Sequence, residues 1–103
     1  SRMAKGYWIA RVNVTDEAAY RRYVETNGAA FEKYGGRFLV RGGTFVCPEG
    51  AAEPRNVVVE FPDYATALAC YHSPEYQHAR SFRLGAADFN ILIIEGYDGP
   101  QPS

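Results

Sequence analysis

The chain is poor in sulfur, with two cysteines, Cys47 and Cys70, and one methionine, Met3, among 103 residues. Two cysteines form neither a disulfide framework nor a metal-ligand spacing, which predicts a reducing, cytoplasmic setting. An excess of charge of one sign is also missing. Eleven Lys+Arg balance twelve Asp+Glu for a formal net charge of -1, so the electrostatic basis for a nucleic-acid or anionic-membrane partner is absent and neither partner is expected. No apolar run, Ile91 to Ile94 included, approaches the roughly 20 residues of a membrane span. The N-terminus carries no signal-peptide pattern. Ser1 and Arg2 precede Met3 as an expression remnant would, and they are set aside in reading the fold. Gly35-Gly36 and Gly42-Gly43 do not lie between a strand and a helix start, so neither is a phosphate loop. With no dinucleotide glycine pattern, metal cluster or haem signature, the expected cofactor is none.

What remains is a globular composition, 47% hydrophobic, 15% aromatic and 22% charged, in a length that suits a single domain over 1–103, with an ordered core at about 5–99. Tyr7 to Val14 alternates with period two: Trp8, Ala10, Val12 and Val14 fall on one face and Tyr7, Ile9, Arg11 and Asn13 on the other, as in a strand. Thr15 or Asp16 offers a helix N-cap. Tyr20, Tyr23, Val24, Asn27, Ala30, Phe31 and Tyr34 then make one helical stripe, in which Asn27 is the polar member, and Gly35-Gly36 ends it. A second strand is predicted over Arg37 to Phe45, with Phe38 and Val40 on one face and Arg37, Leu39 and Arg41 on the other. Pro48 to Pro54 reads as a connection, Asn56 to Phe61 as a third strand, and Asp63 as the cap of a helix from Tyr64. Ser73-Pro74-Glu75 breaks that helix and starts another, which ends near Gly85, and Phe89 to Ile94 is a fourth strand.

The order βαββαβ predicts an α+β, ferredoxin-like domain: a four-stranded antiparallel sheet, order 4-1-3-2, with two helical segments on one face. Trp8, Val12, Phe38, Val40, Val57, Val59 and Phe61 suit the covered face. The other face offers Tyr7, Ile9, Leu39, Val58 and, depending on register, Ile91 and Ile93 or Leu92 and Ile94. A contiguous apolar face of that size exceeds what a monomer usually exposes, and two sheets packed face to face as a homodimer would cover it. A solvated face with scattered apolar residues is the alternative.

Charge on that bare face is the notable anomaly. Arg11, Arg41 and Glu60 share the parity of Ile9, Leu39 and Val58, and the strand of Glu60 lies between those of the two arginines. In a pocket, Arg41 and Arg11 would bind an anionic oxygen while Glu60 accepts a proton. A structural Arg–Glu–Arg cluster at a dimer interface fits the same pattern. His72 and His78 flank the helix break at a spacing unsuited to a shared metal; His72 caps a helix end or serves as an acid or base at a pocket mouth. Tyr71 and Tyr76 could reach a ligand cavity, Tyr20, Tyr23 and Tyr34 read as core, and Cys70 as a small core residue.

Tyr-Gly-Gly-Arg-Phe at 34–38, Arg-Gly-Gly at 41–43, Glu-Phe-Pro at 60–62, Ser-Pro-Glu-Tyr at 73–76 and Glu-Gly-Tyr at 95–97 together resemble the domain-of-unknown-function family 1330 over about residues 5–99. That family is similar to dimeric α+β barrels, which include cofactor-independent monooxygenases and muconolactone isomerase-like proteins. The resemblance implies the homodimer and no particular reaction. The expected function is binding of a small organic, anionic molecule in the barrel interior, with any transformation being cofactor-free isomerase- or monooxygenase-like. The alternative is a non-catalytic, stress-related module whose barrel is filled.

Overall fold

Strand β1 (Gly6–Val14) is the spine of the molecule and pairs on both sides. The computed structural model describes residues 4–102; Ser1 and Arg2, read above as a remnant, lie outside the described residues. Chain order continues with α1 (Glu17–Tyr34), β2 (Arg37–Arg41), β3 (Arg55–Phe61), α2 (Tyr64–His72), α3 (Pro74–Arg83) and β4 (Ala87–Glu95). The sheet order is β2-β3-β1-β4 with every pair antiparallel, the α+β ferredoxin-like arrangement expected.

Local chemistry sets the helix limits. Asp16, rather than Thr15, caps α1 by accepting from the Ala19 amide at 3.2 Å, and Gly35 ends it at φ 69, a left-handed conformation that a Cβ would disfavour. Ser73 serves two helices at once. Its hydroxyl donates to the Cys70 carbonyl at 2.7 Å and accepts from the Tyr76 amide at 3.1 Å, so the last turn of α2 and the first of α3 share one side chain. Pro74 fills the first position of α3, where its missing N–H costs nothing.

The helices cover one face. Trp8 is 3% exposed and lies edge-on to Phe31, Tyr71 and Tyr76, while its indole Nε1–H donates to the Ala67 carbonyl at 2.9 Å and ties β1 to α2. Burial of each such large side chain contributes roughly 1.5–3 kcal/mol. Alternation along β1 is as read, with Trp8, Ala10 and Val12 buried and Ile9 and Arg11 exposed. The β1–β4 register decides between the two alternatives for the last strand: Ile9 faces Leu92 and Tyr7 faces Ile94, so Leu92 and Ile94 join the bare face.

Strand β2 departs from the prediction in two ways. It ends at Arg41 rather than Phe45, because Gly42 and Gly43 take positive φ values of 74 and 100. It also carries a bulge, since Phe38 pairs with Val59 but Val40 with Val58 and Arg41 with Val57. One extra residue reverses the parity that follows it. Val40, expected beneath the helices, is 42% exposed, and Arg41, expected on the bare face, lies opposite Val57 on the helix side.

Candidate functional site

A cavity of about 300 Å³ opens between α1 and the sheet, at the lower end of the size range of small-molecule sites. Its origin is a mismatch of side-chain lengths. Tyr20, Tyr23 and Phe31 hold α1 off the sheet, while the floor beneath includes the short side chains of Ala10, Val12 and Val57. Phe89 and Ile91 of β4 complete an apolar wall. Among the described residues no carboxylate, imidazole or thiol lines the space.

Polar groups enter at two levels. Asn27 lies on the inner stripe of α1, 5% exposed, and its side chain has no hydrogen-bond partner among the described residues. At the rim stand Arg41, Gly42 and Arg55. The Arg41 guanidinium stacks on Phe38 at 4.1 Å and that of Arg55 sits 4.9 Å from the Tyr20 ring centroid. The Gly42 amide donates to the Asn56 carbonyl at 3.0 Å and holds the two strand ends together beside the rim. Among the described residues the ion pairs are Lys33–Glu75 and Arg37–Glu60, so neither rim arginine has a carboxylate partner. Burial raises the Tyr20 hydroxyl above its ordinary pKa, with Arg55 and Arg83 pulling the other way. Burial, reinforced by Tyr76, holds the Tyr23 hydroxyl well above its ordinary value. Both therefore remain protonated donors at neutral pH.

The residues anticipated as a site are not brought together. Glu60 is on the bare face, half-buried, where it accepts from the Tyr7 hydroxyl at 2.9 Å and lies 3.7 Å from Arg37 Nε. Its arginine is thus Arg37, neither Arg41 nor Arg11. The bulge carries Arg41 to the opposite face. Arg11 pairs with Asn56 while Glu60 pairs with Tyr7, four positions away along β1 and roughly 13 Å at the rise of an extended strand. The Glu60 hydrogen bond, then burial, raise the Tyr7 pKa. His72 is exposed at the end of α2, edge-on to Tyr71, and does not line the cavity. Tyr71 packs on Trp8 and Tyr76, and neither tyrosine lines the cavity; Tyr76 is fully buried behind Tyr23. Cys70 is buried as expected.

Three participants escaped the sequence reading. Arg55 shares parity with Val57 and Val59, which places it on the helix side, and that signal was available. Asn27 shows in the sequence only as the polar interruption of an apolar stripe, which by itself points to no site. Arg83, 6% exposed, left no signal, because an arginine near a helix C-terminus ordinarily reads as a solvated dipole partner.

Among the described residues no group of three His, Cys, Asp or Glu could hold a metal ion, and no helix is long and apolar enough to cross a membrane. Residues 5–97 match the family described as Domain of unknown function (DUF1330). No curated protein matches the chain. Its structure is similar to that of a protein of unknown function from Rhodopseudomonas palustris, 19% identical, with TM-score 0.74 over 95% of this chain and 86% of that one. It is similar also to SnoaB, a cofactor-independent oxygenase from Streptomyces nogalater, 12% identical, with TM-score 0.60 over 96% of each chain. A third similar structure is a dimeric protein of unknown function and ferredoxin-like fold from Bacteroides fragilis, 12% identical, with TM-score 0.60 over 92% of this chain and 99% of that one.

Proposed function

This chain belongs to the DUF1330 family, and on that premise we propose that it binds a small, flat, anionic organic molecule in the cavity between α1 and the sheet. The observation that carries this reading is the composition of the cavity wall: aromatic and aliphatic side chains within, two guanidiniums without carboxylate partners at the mouth, and no acid anywhere in the lining. Apolar walls supply affinity for a ring system, and Arg41 and Arg55 supply charge-assisted hydrogen bonds to an oxyanion. The filled-barrel alternative concerns the space between two paired sheets, whereas the open cavity beneath α1 supports binding on the helix side. The binding place moves from the sheet-to-sheet interior to the helix side, because the bulge takes Arg41 there.

The bare sheet face then has a separate role, as the surface through which two copies pair. Glu60, Tyr7 and Arg37 form a polar cluster on that face and belong to the interface. A carboxylate base for a reacting ligand is missing from the cavity itself, so any transformation there draws on the acidity of the ligand. Cofactor-free chemistry of an enolisable molecule suits such a chamber: isomerisation, in which the proton lost returns at another carbon, or oxygenation with dissolved dioxygen as the oxidant, the latter in keeping with the activity named for SnoaB.

The test is a thermal-shift titration with 2-naphthoate, a flat aromatic anion. Wild type is expected to show a saturable rise in melting temperature. Arg41→Ala and Arg55→Ala, both changes at the rim, should each weaken binding about tenfold, the effect of one lost charge-assisted hydrogen bond. Absence of any shift in wild type, or full retention in both variants, overturns the reading.

A further inference from the structure

Arg83 is a buried cation with no counterion. It closes α3, is 6% exposed, and its Nη2 donates to the Tyr76 hydroxyl at 3.1 Å. Its guanidinium carbon lies 3.6 Å from the Phe89 ring centroid and 5.2 Å from that of Tyr23, and its Nε has no partner. No carboxylate comes within ion-pair distance among the described residues. A guanidinium held in a core for structural reasons alone is usually paired with an acid, since its desolvation is otherwise uncompensated.

The field of this cation is directed at a hydroxyl chain that leads to the cavity. Tyr76 accepts from Arg83, and its oxygen is 2.8 Å from the Tyr23 oxygen. Either oxygen of the pair can donate; a hydroxyl that accepts from a cation becomes a stronger donor in turn, and with Tyr76 as the donor the Tyr23 proton is free. Tyr23 and Phe89 are wall residues of the cavity; Arg83 and Tyr76 stand behind them. The titratable and charged groups around this chain are Tyr20 from α1, Tyr76 and Arg83 from α3 and Arg55 from β3, while β4 contributes the neutral Phe89. None of these side chains is a carboxylate.

We propose that Arg83, a positioning residue acting through Tyr76 on Tyr23, makes the inner wall of the cavity select the ionised oxygen of an enol- or phenol-type ligand. This rests on the binding reading above and narrows it. Arg41 and Arg55 draw any anion to the mouth, whereas a single hydroxyl donor backed by positive charge matches one oxygen on a ring better than a two-oxygen carboxylate.

The probe is 4-nitrophenol, whose absorbance reports its ionisation in the bound state. With wild type its apparent pKa is expected to fall by about one pH unit on binding, a tenfold preference for the anion. Tyr76→Phe keeps the ring and removes the link, and should cut that preference to less than about threefold. Arg83→Lys should retain a downward shift and Arg83→Met should lose it. Should Arg83→Met fail to fold, Tyr76→Phe decides the matter alone, and a full shift in folded Tyr76→Phe overturns the proposal. Binding of 2-naphthoate without binding or ionisation of 4-nitrophenol sinks this inference and leaves the cavity reading standing. Failure of both probes removes both.

Discussion

Arg41 stacks its guanidinium on the ring of Phe38 at 4.1 Å, on the same side of the sheet. Residues three apart in a regular strand point to opposite faces. The two meet because Leu39 is inserted as a bulge between Phe38 and Val40, and that extra residue is what gives the cavity mouth its first cation.

Deletion of Leu39 should therefore leave the site in place. With Leu39 gone, Phe38 and Arg41 stand two apart in a regular strand and stay on one face, opposite Val59 and Val57, so 2-naphthoate affinity is expected to match wild type, with far-ultraviolet circular dichroism unchanged. A drop as large as in Arg41→Ala in the folded deletion variant would show that Leu39 is not the residue that the bulge inserts.

The bare face makes its own prediction. Tyr7, Ile9, Val58, Leu92 and Ile94 are neighbours across β3, β1 and β4, with Ile9, Leu92 and Ile94 at 37%, 49% and 48% exposed. Leu92→Glu places an unpaired carboxylate where a second sheet would pack, at a cost of several kcal/mol to the association. Sedimentation equilibrium should find wild type dimeric at micromolar concentration and the variant monomeric. A monomeric wild type ends the pairing proposal.

The two thiols should separate cleanly in reactivity. Burial pushes the Cys70 thiol up to about 12, with Glu75 adding to the rise, whereas Cys47 is exposed. Only the thiolate is nucleophilic. At pH 8, Ellman's reagent is expected to modify Cys47 alone in the native protein and both residues after denaturation. Rapid modification of Cys70 in the folded state would contradict its burial beneath Ala30.

Asp63 sets an acid limit on α2. Its carboxylate accepts from the Thr66 amide at 2.7 Å, and the hydrogen bonds with Thr66 hold its pKa below the usual carboxylate value. A depressed folded-state pKa gives stability that is fully present above the unfolded value and fades as pH falls through the folded one. The melting-temperature gap between wild type and Asp63→Ala should be constant from neutral pH down to about pH 5 and close on further acidification. A gap that widened toward acid would reverse the assigned sign.

Period-two alternation in β1, the stripe of α1, and the caps Asp16, Gly35, Asp63 and Ser73 were legible in the sequence because each depends on residues within a few positions along the chain. The element order carried the sheet order with it, since few topologies accommodate βαββαβ. The inward placement of Arg55 follows from the same parity, since it shares that of Val57 and Val59. The pairing of Glu60 with Arg37, the reversal of Arg41 and the choice of Leu92 and Ile94 were of another kind. Each depends on the register of one strand against another, and a bulge can occur wherever the partner strand leaves an extra residue unpaired. Local propensity therefore determined which segments became strands and helices and which side of most of them turned to the core. Contacts between segments distant in sequence decided where the cavity lies and which charges surround it, because a one-residue slip between strands costs little locally yet sends every following side chain to the other face.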